Sequence, residues 1–350
     1  MSEMCPSDNA YTLLDMLTGY QAPAILMAAH RLGLFRALGT GPATLQDLAV
    51  TLSLPERSLG ILLRALVALG LVLQEDGRYA NGPLVGQMLV PGRPGYLGRL
   101  VDKEAFFYSA WSHLADCVRE DHAAIPPIRE RARQDPQTTH NFLLALDDIA
   151  ALFGEMFVPS VELGDRRRLL DVGGGVGSYA VRLARRWADL RVTILELPEV
   201  VPWAQQFVAE AGLADRIAVV PGDFLVGGFP SGHDVILFAN IFHDQPPAVN
   251  QGLLVEAYRA LPPGGQVLVY EFLLEENRVA PAASALFAVM MLVENEGGNV
   301  YTAHDIETWL AGAGFDGIAT TPLPAPSPMG LIVGHKPLAR AGGAVQASQR

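Results

Sequence analysis

The stretch "LLDVGGGVGSYA", residues 169–180, decides how the second half of this chain folds. It begins as a short apolar run, turns on glycines, and reopens as a helical pattern. A glycine-rich turn at the carboxyl end of a strand lets a ligand approach the backbone closely. The dinucleotide fingerprint G-x-G-x-x-G is absent, because the sixth position from Gly173 is Ser178. The pattern is instead acid-x-G-x-G-x-G, carried by Asp171, Gly173, Gly175 and Gly177.

Further short apolar runs follow at regular intervals, in "RVTILEL", "RIAVVPGDF", "DVILFAN" and "GQVLVYEFLL". Helical stretches such as "SYAVRLARRWADL" lie between them. Strands alternating with helices indicate a parallel sheet covered on both faces. The final pair, "FDGIATTPL" and "GLIVGHK", is joined by a proline-rich turn with no room for a helix, so the last strand pairs antiparallel. Each of the first three strands ends in a residue suited to adenosine. Beyond the glycine turn, Glu196 ends the second strand and can accept both ribose hydroxyls. Asp223 and Phe224 follow the third, a carboxylate for the exocyclic amine and a ring for the base face.

Residues 11 to about 160 read as helix after helix. "PERSLGILLRALVALG" is followed by "LVLQEDGRYAN", in which Asp76-Gly77 sits between two short strands. Helix, helix and hairpin suggest a winged helix. Its second helix carries only Arg57 and Arg64 and is otherwise mostly apolar, unlike a helix that reads DNA. The net charge of -12 repels nucleic acid and anionic membranes alike. Half of the 350 residues are hydrophobic, enough to bury two cores. Two cysteines, Cys5 and Cys117, make neither a disulfide framework nor a thiolate metal site. No targeting segment or membrane span is expected, and a cytoplasmic location is the simplest reading. The expected domains are a helical dimerisation and substrate-lid half over 1–165, a cofactor-binding half over 166–338, and a disordered tail over 339–350.

With these motifs in place, "LLDVGGGVGSYA", "LELPEVV", "VVPGDFL", "FHD" and "GGNVYT" resemble the S-adenosylmethionine-dependent O-methyltransferase family. The resemblance covers nearly the whole chain. It implies a Rossmann-like class I methyltransferase α/β sheet of seven strands, the last antiparallel, behind an N-terminal all-α winged-helix domain that forms a homodimer. It implies that Asp171, Gly173, Gly175, Gly177, Glu196, Asp223 and Phe224 hold S-adenosylmethionine, with Leu197, Gly222 and Asn240 beside them.

In phenol O-methyltransferases of this family the histidine after the fourth strand is the general base, framed by two glutamates. His243 in "FANIFHDQPPA" (238–248) matches it, and Glu271 in "VLVYEF" matches one glutamate. The second position holds Val300, which can neither orient an imidazole nor stabilise its cation. A second reading uses Asp244. The chain also resembles non-haem iron members of the family that methylate the β-carbon of phenylpyruvate, an aryl 2-oxo acid, in antibiotic biosynthesis. That resemblance implies metal ligands at His243, Asp244 and Asn295, where an amide stands in place of a histidine. The alternative role for Asp244 is to cap the turn "DQPP". For the acceptor pocket the candidates are Phe106, Phe107, Tyr108 and Trp111 in "EAFFYSAWSHL", with Phe107 and Trp111 four apart. Arg99, Arg119 and Arg129 are candidates for a substrate carboxylate.

Overall fold

The computed structural model describes residues 10–339. Cys5 and, from residue 340, the expected disordered tail lie outside them. By compactness the chain divides between Ser109 and Ala110.

The first unit holds α1 (Ala10–Thr18), α2 (Gln21–Arg31), α3 (Leu34–Leu38), β1 (Ala43–Thr44), α4 (Leu45–Leu52), α5 (Glu56–Ala68), β2 (Val72–Glu75), β3 (Arg78–Asn81), α6 (Pro83–Met88) and most of α7 (Gly98–Ala110). Helix α5 buries Leu59, Leu63 and Leu66, spaced as one helical face, against Leu34, Phe35, Leu38 and Leu48. Strands β2 and β3 form the expected hairpin. Asp76 (φ 47°) and Gly77 (φ 74°) are both left-handed, as a two-residue turn matching the strand twist requires. Strand β1 adds antiparallel to β3 and completes the wing. Ser53 lies between α4 and α5. It ends α4 in a left-handed conformation, and Pro55 takes the position before α5.

The second unit continues with a 3-10 turn (Trp111–His113), α8 (Leu114–Glu120), α9 (Ile128–Gln134) and α10 (Pro136–Ser160). Then come β4 (Arg168–Val172), α11 (Ser178–Arg186), β5 (Arg191–Glu196), α12 (Val201–Glu210), β6 (Ile217–Pro221) and β7 (Val235–Ala239). It closes with α13 (Pro247–Ala260), β8 (Gln266–Leu274), α14 (Ala282–Glu294), β9 (Tyr301–Thr302), α15 (Ala303–Ala313), β10 (Asp316–Pro322) and β11 (Met329–His335). The sheet order is β10-β11-β8-β7-β4-β5-β6, with two-residue β9 beside β8. From β8 to β6 every pairing is parallel, and β11 runs antiparallel to both its neighbours. This is the class I methyltransferase arrangement that the sequence leads one to expect.

Alternation along the strands explains the two cores. Leu169, Val192, Val235, Leu237 and Leu268 point to one face, where Phe157, Leu183 and Ala184 cover them. Leu170, Ile236, Phe238, Val267 and Val269 point to the other, onto Leu254, Ile306 and Leu310. The sequence reading places residues up to 165 with the helical half. Phe157, Val161 and Leu163 instead pack into the core of the second unit.

Candidate active site

The chemistry-bearing residues gather at the carboxyl ends of β4, β5, β6, β7 and β8, where an open α/β sheet binds ligands. After β4 the chain turns through Gly173, Gly175 and Gly177, all at positive φ. Gly173 is the most constrained of the three. A Cβ there would stand 2.6 Å from Ile241 Cδ1 and 3.0 Å from Phe224 Cε1. The ring of Phe224 therefore lies against the turn.

Glu196 ends β5 buried. Its Oε1 accepts from Leu197 N–H at 2.7 Å and its Oε2 from Gly175 N–H at 2.8 Å. Burial pushes its carboxyl up to about 7 against those two hydrogen bonds. Asp171, buried under the turn, is pushed to about 7 by burial and by Glu196. Neither of its oxygens has a hydrogen-bond partner among the described residues. The same holds for Asn240 Oδ1 and the Tyr270 hydroxyl. Asn240 follows β7 in a left-handed conformation (φ 57°), its Nδ2 donating to the Tyr179 hydroxyl at 3.1 Å. Buried acceptors without partners cost about 1–3 kcal/mol each. Here they suit a ligand that brings donors, such as the ammonium and ribose of S-adenosylmethionine. The residues present fit that molecule. Asp223 is more engaged than its sequence position suggests: it pairs with Arg129 and accepts from Leu225 N–H at 3.0 Å. Gly222 donates to the Glu196 carbonyl at 2.8 Å, tying the third strand end to the second.

His243 sits in a 3-10 turn (Phe242–Asp244) just after β7. Glu271, buried on β8, fixes it. Glu271 Oε2 lies 2.7 Å from His243 Nδ1, and Oε1 accepts from Phe242 N–H at 2.7 Å. Asn250 donates to the Phe242 carbonyl at 2.9 Å and Asn299 N–H to the His243 carbonyl at 2.9 Å, so the turn is held on both sides. Burial alone would lower the pKa of His243, but Glu271 and Asp244 outweigh it and raise the pKa to about 9. Nε2 is left facing Asp244 Oδ1 at 3.5 Å. Val300 is 1% exposed, so no second carboxylate enters from that loop position.

Asp244 does not cap the turn through its side chain. Its Oδ1 accepts instead from Asn295 Nδ2 at 2.7 Å. His243, Asp244 and Asn295 are thus brought together, but as they stand they do not present three ligand atoms to an iron. Three ligand atoms must turn lone pairs to one point. As arranged, Asn295 turns its amide nitrogen, which has no lone pair to give, towards Asp244. Nearby, Glu294 is held by Arg131 at 3.1 Å, and Glu271 by the His243 turn. Among the described residues no group of three His, Cys, Asp or Glu side chains could hold a metal ion. The side chains around His243 lend no support to an iron.

Two aromatics that the sequence reading missed flank His243. Phe287 on α14 meets its ring edge-on at 4.9 Å and Phe272 on β8 at 6.4 Å, and the two stack at 4.1 Å. Phe272 follows Glu271 directly, which was its one visible signal. Of the expected aromatics, Phe107 is buried in the first unit beneath the Lys103 ammonium, while Phe106 and Tyr108 are exposed. Trp111 lies just beyond the end of α7, in the 3-10 turn. Arg119 pairs with Asp116 on the surface, and the arginine nearest the His243 cluster is Arg131, which the sequence reading did not single out.

A parallel sheet with a glycine turn after its first strand, a buried carboxylate at the end of the next strand and a carboxylate-held histidine define an S-adenosylmethionine-dependent methyltransferase. The chain matches the O-methyltransferase domain over residues 111–316 and the O-methyltransferase dimerisation domain over 14–91, and it belongs to that family. It is 35% identical to the 3-hydroxy-5-methyl-1-naphthoate 3-O-methyltransferase of Streptomyces sahachiroi, covering 93% of this chain and 94% of that one. It is 30% identical to the L-tyrosine C(3)-methyltransferase of Streptomyces lavendulae, covering 92% and 91%. Among solved structures it resembles PigF with SAH, a methyl transferase from a Serratia species, with a TM-score of 0.87, 30% identity, and 94% and 100% of the two chains covered.

Proposed function

We propose that this methyltransferase acts on a hydroxyl group of an aromatic acceptor, with His243 as general base. The observation that carries the reading is the 2.7 Å contact between His243 Nδ1 and Glu271, which fixes the ring with Nε2 turned to the side of Asp244. When bound, S-adenosylmethionine supplies the methyl group as an electrophile. Nε2 takes the acceptor proton, and Glu271 stabilises the imidazolium that results. Such a base accelerates transfer about 10²–10⁴-fold, and positioning supplies much of the rest. The stacked pair Phe272–Phe287 suits an aromatic ring set beside the imidazole. The naphthoate relative supports the same acceptor class.

Methylation of the β-carbon of phenylpyruvate is the competing outcome. The L-tyrosine C(3)-methyltransferase relative shows that the family includes carbon acceptors, but the donor atoms around His243 lend no support to a metal-held keto acid. Mass spectrometry of products from a hydroxynaphthoate and from phenylpyruvate separates the two. O-methyl naphthoate formed equally with and without chelator is the expected result. Chelator-sensitive methylation of phenylpyruvate alone would sink the proposal.

A further inference from the structure

Helix α9 carries arginines at 129, 131 and 133, and each pairs with an acid from a different part of the chain. Arg129 and Arg133 are one turn apart and share a face. Arg129 holds Asp223, after β6. Arg133 Nε holds Glu199 Oε1, after β5, at 2.6 Å. Both acids stand on the rim of the cofactor site. At the start of the helix, Ile128 packs on the cluster of Val176, Leu197 and Val200, beside the glycine turn.

Arg131 points the other way. It is only 9% exposed, its guanidinium lies 4.9 Å over the Phe142 ring, and it donates to Glu294 at 3.1 Å. Glu294 precedes Asn295, whose amide holds Asp244 beside His243. The chain just before α9 joins the same loop: Ala124 N–H donates to the Val293 carbonyl at 2.8 Å and Ala123 N–H to Glu296 at 3.1 Å. A seven-residue helix is too short to be stable alone. Its order comes from these ties, two on the cofactor rim and one on the acceptor rim.

We propose that α9 couples the two sides of the active site. Adenosine on the cofactor rim fixes α9, and Arg131 passes that order to the Glu294–Asn295 loop that holds the acceptor beside His243. Arg131 is then a positioning residue for methyl transfer. The acceptor half of this statement rests on the reading of His243 as the reacting site; the test below needs no acceptor, so the two can fail separately.

Hydrogen exchange is followed in the full chain over residues 122–136 and 291–299, with and without saturating S-adenosylhomocysteine. Binding should slow exchange in both segments, by about 5-fold or more, in the range of ordinary site-to-site coupling. Arg131→Gln should still bind S-adenosylhomocysteine and keep the slowing over 122–136, yet lose it over 291–299. Arg131→Lys, which keeps the charge, should restore part of it. Because a buried arginine can be needed for folding, the double variant Arg129→Gln/Arg133→Gln tests the other arm from the exposed face. At saturating ligand it too should lose the slowing at 291–299. Unchanged exchange at 291–299 on ligand binding to the unmodified protein overturns the proposal. So does undiminished slowing there in either glutamine variant.

Discussion

At the scale of single residues, the site turns on how Glu271 shapes His243. Burial alone would drive the imidazole to its neutral form, and the carboxylates of Glu271 and Asp244 reverse that, holding its pKa above the ordinary 6.5. A base must be neutral to take a proton, so turnover should rise with pH until His243 is deprotonated, near 9 rather than near 6.5. Glu271→Gln removes the main counter-charge. The acid limb of the pH–rate profile should then move to lower pH, while the maximal rate falls because the ring loses its orienting partner. A limb that stays in place would show that another group titrates. His243→Gln should lower turnover by about 10²–10⁴-fold and leave S-adenosylhomocysteine affinity within a few-fold, measured by calorimetry. The sequence showed His243, Asp244 and Glu271, because the apolar pattern locates their strands, one ending just before His243 and one holding Glu271, and the family resemblance singles them out. It did not show what Asp244 touches. That depends on which atom of Asn295, 51 residues away, faces it. No local spacing records whether that amide donates to Asp244.

At the scale of elements, the alternation of β4, β5, β7 and β8 was legible because buried parallel strands read as unbroken apolar runs. The glycine turn was legible because the backbone conformation it needs leaves a chemical mark. Gly173→Ala tests that mark. The new methyl would meet Ile241 at 2.6 Å and Phe224 at 3.0 Å, on a backbone at φ +66° that disfavours any side chain by about 1–2 kcal/mol. Cofactor affinity should fall by about tenfold or more with the fold intact, read by calorimetry and circular dichroism. Wild-type affinity would mean that the turn does not meet the ligand. Within the sheet, Leu237→Ala empties a fully buried place on β7 and should cost about 2–5 kcal/mol in denaturant unfolding. Less legible were α9 and the aromatic wall. Arg129 stood only as a candidate for a substrate carboxylate and Arg131 and Arg133 did not stand out, since the partners of the three, Asp223, Glu294 and Glu199, come from distant parts of the chain. Phe287 read as one apolar residue among many in "ALFAVMML", and only its contact with His243 sets it apart.

At the scale of the whole molecule, the matched dimerisation domain and the surface of α1 lead to a prediction about assembly. Helix α1 buries none of its residues within the chain, and Leu13, Leu14, Met16 and Leu17 are all exposed. Scattered exposed leucines need no explanation, but a cluster on one short helix marks a contact. A second copy of this chain is the occupant that the dimerisation match favours. Each copy carries a net charge of -12, so two copies repel at long range and the association must come from apolar burial. Salt screens that repulsion, with a Debye length of about 8 Å at physiological ionic strength. Raising the salt should therefore leave the dimer intact or tighten it, whereas an interface built on ion pairs would loosen. Light scattering at micromolar concentration should give the dimer mass, and Leu14→Asp/Leu17→Asp should give the monomer with the second unit still folded and still binding S-adenosylhomocysteine. A monomeric unmodified protein would refute the assembly outright. A double variant that stays dimeric would instead move the interface away from α1.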